Sequence, residues 1–174
     1  RAGKVRLELN APFHMRNSEL RATFNEAVPF YTGDGSNMHT QRGQLNFKRL
    51  SGDQILMHCT SMKRRLLATE KVIRADLIFT TLEKNSDGLV GDLVMIDGDI
   101  AIADSVSSWS LHTSEPLLKV YELECSKYIV DGVLEVRETN DASEINVYFD
   151  TDDTQACDNE IAVEVNGRRV IHRY

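Results

Sequence analysis

The chain has 174 residues, with 41% hydrophobic and 27% charged residues and a net charge of −7. That is enough apolar material for a core and too balanced a composition for collagen-like, low-complexity or disordered chains. No apolar run approaches the ~20 residues a membrane-spanning helix needs, so a single domain over 1–174, soluble and intracellular or cytoplasmic, is expected.

The charge is distributed unevenly. Residues 1–84 carry 14 Lys/Arg against 8 Asp/Glu, whereas residues 85–174 carry 6 against 19. Between 131 and 160 there are ten acidic residues and a single Arg137. Such asymmetry speaks about partners and self-association rather than fold.

In chain order, the alternation of Val5, Leu7 and Leu9 with Lys4, Arg6 and Glu8 predicts a strand. Asn17 or Ser18 can then cap a short helix carrying Leu20, Phe24, Ala27 and Val28 at helical spacing, ended by Pro29. Residues 32–43 read as an exposed polar loop. Leu45 to Leu50 and Gln54 to His58 read as strands about a Ser51-Gly52 turn. Residues 62–82 satisfy helical spacing in part, but Ile73, Ala75, Leu77 and Phe79 alternate with Arg74, Asp76 and Thr80, which favours a strand over 72–82. A turn at Asn85 to Gly88 follows.

Three Asx-Gly pairs then look like two-residue hairpin loops: Asp97-Gly98, Asp131-Gly132 and Asn166-Gly167. Asn, Asp and Gly tolerate φ > 0, which a type I′ turn demands at both central positions. A longer loop, Thr139 to Ser143, precedes the strand from Glu144 to Phe149. The expected fold class is therefore mainly β, an antiparallel meander or sandwich with one or two short α-helices.

Candidate sites are few. Asp97, Asp99 and Asp104 could form the carboxylate cluster of a hydrolase, although the favoured reading has Asp97 making a turn and Asp99 opening the next strand. Asp150, Asp152 and Asp158 alternate as in a calcium loop. However, Gln155 stands where an EF-hand needs Gly, and Ile161 where it needs the bidentate Glu. What survives is a looser calcium-dependent, C2-like peripheral membrane module. Lys63, Arg64 and Arg65, with Lys48, Arg49, Lys71 and Arg74 nearby, could hold an anionic membrane surface or a nucleoprotein. No aromatic residue interleaves them, which disfavours single-strand nucleic-acid stacking. The three cysteines, Cys59, Cys125 and Cys157, are widely spaced and predict reduced thiols, with Cys59 a small buried filler. No cofactor is implied, and no motif asks for an enzyme.

The strand from Val5 to Leu9, then Asn10-Ala-Pro-Phe13, then the short helix from Ser18 to Val28, resembles the start of the folded domain of rhabdovirus matrix proteins. That resemblance implies a structural protein that self-associates, bridges nucleocapsid to membrane and is virion-associated; it carries over no functional residue. The basic arm and late-domain motif of that family are missing from these residues. The expectation from the whole sequence is a non-enzymatic structural, assembly or binding protein.

Overall fold

A computed structural model describes residues 3–25, 27–32, 39–66, 69–84, 91–121, 128–152, 154, 157 and 160–173. Twelve strands run β1 Val5–Leu9, β2 Glu19–Phe24, β3 Phe30–Thr32, β4 His39–Arg49, β5 Gln54–Leu66, β6 Thr69–Glu83, β7 Leu93–Ala103, β8 Ser108–Val120, β9 Asp131–Glu138, β10 Ile145–Tyr148, β11 Glu160–Val165 and β12 Arg168–Arg173. They pair in the order β1-β2-β4-β5-β6-β7-β8-β9-β10-β11-β12, with β3 on β4. This is a meander. Apart from β3, every strand lies beside its neighbour in sequence, so its hydrogen bonds come from short-range hairpins.

Two compact units partition the chain. One comprises Arg1–Asp76 with Ile100–Ser108, the other Leu77–Asp99 with Trp109–Tyr174. In the first, Ala22, Cys59, Met62 and Ala75 are the buried hydrophobic side chains; in the second, Leu77, Val94, Val130 and Ala162. These buried residues are small or medium in size.

The helix expected from Ser18 to Val28 is a strand instead. Leu20, Ala22 and Phe24 alternate with Arg21 and Thr23, and β2 pairs with β1 on one side (Leu7 opposite Ala22) and β4 on the other (Ala22 opposite Leu45). Two flanking strands satisfy its backbone groups, which a weak helical spacing cannot outweigh. The would-be cap is a turn: Asn17 has φ 61, and the buried Ser18 hydroxyl donates to the Phe13 carbonyl at 3.1 Å. Among the described residues there is no helix.

Several turn expectations hold. Asn166 (φ 50) and Gly167 (φ 78) join β11 to β12, Ser51-Gly52 lies between β4 and β5, and Thr139 to Ser143 lies between β9 and β10. Two others do not. Asp97-Gly98 sits inside the continuous strand β7, and Asp131-Gly132 opens β9. The reason is a second use of Asx-Gly: a positive φ inside a strand lets the partner backbone come close. A Cβ on Gly132 would stand 2.5 Å from the Pro116 carbonyl oxygen.

Residues 39–43 of the expected loop belong to β4, while 33–38 lie outside the described residues. The ambiguous 62–82 stretch is strand on both sides, the end of β5 and most of β6. The Asn85–Gly88 turn and Cys125 are outside the described residues. Cys59 is the expected buried filler at 2% exposure, its thiol pushed up in pKa by burial. Cys157, by contrast, is disulfide-bonded, which corrects the expectation of reduced thiols throughout.

Candidate docking face

The register of the first unit sorts its side chains by charge. On one face lie Val5, Leu7, Leu9, Leu20, Ala22, Phe24, Leu45 and Phe47; the opposite face carries Arg6 and Glu8 (β1), Glu19 and Arg21 (β2), and Arg42, Gln44, Asn46 and Lys48 (β4). Side-chain contacts confirm the second set: the Asn46 carboxamide oxygen accepts from Gln44 Nε2 at 2.7 Å and from Arg21 Nε at 3.3 Å.

On β5 the pairing slips by one residue between Gln44 opposite Ser61 and Asn46 opposite His58. This β-bulge re-aims the strand, so that His58 and Ser61, three residues apart, face the same way. Lys63 and Arg65 follow on that face, opposite Arg42 and Thr40. Arg64 does not: it stands opposite Gln41 and points to the other side. The basic triplet is therefore split, and its partner on the face is Arg42, which lay within the expected loop.

Three carboxylates of this face are engaged. Glu8 pairs with Arg6 at 2.9 Å, Glu19 with Lys48 at 3.8 Å, and Asp76 with His58 Nδ1 at 2.5 Å. Arg42 and Lys63 oppose each other directly, an arrangement that is repulsive without a counter-ion. The Arg42 Nε is fully shielded from solvent and makes no hydrogen bond.

β2 stops at Phe24 opposite Gly43, and β3 begins at Phe30 opposite Gln41, so neither strand pairs with Arg42. That gap is a notch in the strand pairing at Arg42; a shallow cleft of about 440 Å³ beside it is lined by Thr23, Phe24, Asn25, Gly43, Gln44 and Ser61.

Other candidate residues have local roles. Arg49 donates to the Phe13 carbonyl at 2.6 Å and to the Gly52 carbonyl at 2.8 Å, and its guanidinium lies 5.1 Å from the Phe13 ring centre, so it clamps a turn. The Asp97 carboxylate accepts the Thr113 hydroxyl at 2.5 Å, and that hydroxyl accepts the Gly98 N–H at 2.8 Å. Asp99 meets His112 Nδ1 at 2.9 Å. Asp104 accepts the backbone N–H groups of Val106 and Ser107, which holds its carboxyl below the ordinary range. The three aspartates thus serve separate local structures.

Asp150 accepts the backbone N–H of Asp152 and of Thr154, and Asp152 accepts the Thr154 hydroxyl at 2.7 Å. Asp158 lies outside the described residues. No group of three metal-ligating side chains occurs among the described residues. No helix there is long and apolar enough to cross a membrane.

No family model, curated protein or solved structure matches the chain. One of the three features behind the matrix-protein resemblance, the helix, is the strand β2.

Proposed function

We propose that this is a non-enzymatic assembly protein that self-associates by docking the basic unit of one copy on the acidic unit of another. The observation that carries the reading is the charge of the two units. The first holds 13 Lys/Arg against 8 Asp/Glu, a balance of +5, and the second 7 against 19, a balance of −12, which together make −7. Opposite net charges on two compact units give a head-to-tail contact its attraction. A head-to-tail contact that does not close propagates into open assemblies, the behaviour that the matrix-like reading also asks for.

A binding role is further supported by the way Asp97, Asp99 and Asp104 are each occupied by turn or cross-strand partners. The calcium-dependent reading has less behind it, because Asp150 and Asp152 spend their oxygens on their own loop. The disulfide at Cys157 favours an oxidising compartment over the cytosol.

Ionic strength tests the reading. Screening shortens the reach of exposed charges from ~30 Å at 0.01 M salt to ~8 Å at 0.15 M. Light scattering at high protein concentration is expected to show assemblies at 0.01 M that fall to the monomer mass by 0.5 M. A monomer mass throughout would overturn the proposal. Salt-sensitive binding to anionic vesicles or to nucleoprotein would then give the basic face its partner.

A further inference from the structure

We infer that the notch at Arg42 and Lys63 is the anchor of that assembly, taking a carboxylate from the turn between β9 and β10 of a second copy. This rests on the self-association reading and makes it local. Arg42 and Lys63 stand opposite each other on β4 and β5, the shielded Arg42 Nε lacks an acceptor, and Lys63 has no partner among the described residues. Two directly facing cations repel each other. A carboxylate set against the pair relieves that repulsion, and the planar guanidinium is of the kind that pairs with two carboxylate oxygens.

The occupant is chosen by the same accounting. In the acidic unit several charged side chains of the described strands are engaged: Glu135 with Arg137, Glu160 with Arg173, Asp99 with His112. Asp150 and Asp152 hold their own loop together. Glu83, Glu115, Glu138, Glu144 and Glu164 have carboxylates without a partner among the described residues, and of these Glu138 and Glu144 flank one turn, which Asp141 shapes by accepting the Ser143 N–H at 3.0 Å. That turn is tied at its base, since the Glu144 N–H donates to the Asn166 side chain and the Asn166 N–H to the Glu144 carbonyl. A fixed turn with two carboxylates that have no partner among the described residues has the charge to meet two facing cations.

A charge swap in the full chain tests this. Arg42→Glu with Lys63→Glu makes a variant with an acidic notch, and Glu138→Lys with Glu144→Lys one with a basic turn. Each alone is expected to stay at the monomer mass at 0.01 M salt, with a melting transition retained. Mixed together they are expected to assemble beyond a 1:1 pair, because both the native and the swapped contact then form. The basic-turn variant still has an acidic unit of balance −8, that is −12 raised by four. Its loss of assembly would therefore report a local contact rather than net charge.

Arg6→Glu is the control, a reversal on the same face but remote in register from the notch. If it weakens assembly as much as the notch reversal, or if the mixture stops at 1:1, the anchor is wrong while the charge reading stands. If the wild type never assembles, the charge reading itself fails. Should the reversed notch prevent folding, Arg42→Gln with Lys63→Gln replaces it, and association unchanged from wild type would overturn the anchor.

Discussion

Asp104 shows how a carboxylate that invites a catalytic reading can be spent on structure. It lies in the turn between β7 and β8 and caps the Val106 and Ser107 N–H groups at 2.8 and 2.9 Å. Those two hydrogen bonds, in that order of importance, lower its pKa from the ordinary 3.8, with the Lys71 charge helping. A depressed carboxyl stabilises the fold above its unfolded pKa, and that stabilisation fades as pH falls through the folded value. Asp104→Asn keeps an oxygen acceptor without the titration. The expected outcome is a smaller loss of melting temperature between pH 5 and about 2.5 in Asp104→Asn than in wild type, read by thermal melts across that range. Equal acid sensitivity in the two would show that the turn does not depend on the charge.

At the scale of elements, two glycines separate the two meanings of Asx-Gly. A Cβ on Gly167 would meet nothing within 4 Å, so its cost there is conformational only, whereas on Gly132 it would press on the Pro116 carbonyl and the Leu117 Cα at 2.8 Å. Gly167→Ala should therefore cost about 1 kcal/mol from the positive φ alone. Gly132→Ala should cost more, on the order of 2–3 kcal/mol, since backbone on both sides must shift. Chemical denaturation of both variants checks the order. The reverse order would mean that β8 and β9 are not closely apposed at Pro116.

This distinction is also where sequence reading met its limit. Alternation revealed β1, β10, β11 and the core of β6, because period-2 patterning is a direct imprint of a two-faced strand. Asp97-Gly98 and Asp131-Gly132 misled, because the signature encodes a backbone conformation that turns and strand irregularities share. β2 misled because its apolar residues fit both periods, and only its neighbours on both sides decide between them. The docking face was half legible. Lys63 and Arg65 stood out as charge, but Arg42 was hidden in an apparent loop, and the bulge that aligns Ser61 with His58 has no local signal. With Thr40, Arg42, Gln44, Asn46 and Lys48 alternating against Leu45 and Phe47, a longer strand could have been drawn from the sequence.

For the whole molecule, the charge imbalance seen along the sequence survives folding nearly intact, because a meander keeps neighbouring strands together. Counted by compact unit instead of on either side of residue 85, the balance changes only from +6 and −13 to +5 and −12. That persistence carries a pH prediction. Lys and Arg remain charged across the whole range in which carboxylates titrate, since their ordinary values lie above 10 and those of Asp and Glu near 4. Acidification therefore erases the negative unit and leaves the positive one. Assembly at low salt is expected to hold from pH 9 down to about 5 and to disperse below about 4, as like-charged copies repel. Dynamic light scattering along that titration, paired with circular dichroism to confirm that the strands persist, is the measurement. Assemblies that persist at pH 3.5 with the fold intact would require an apolar contact, and the exposed Leu7, Leu9, Val170 and Ile171 on the outer strands β1 and β12 would be the first places to look for it.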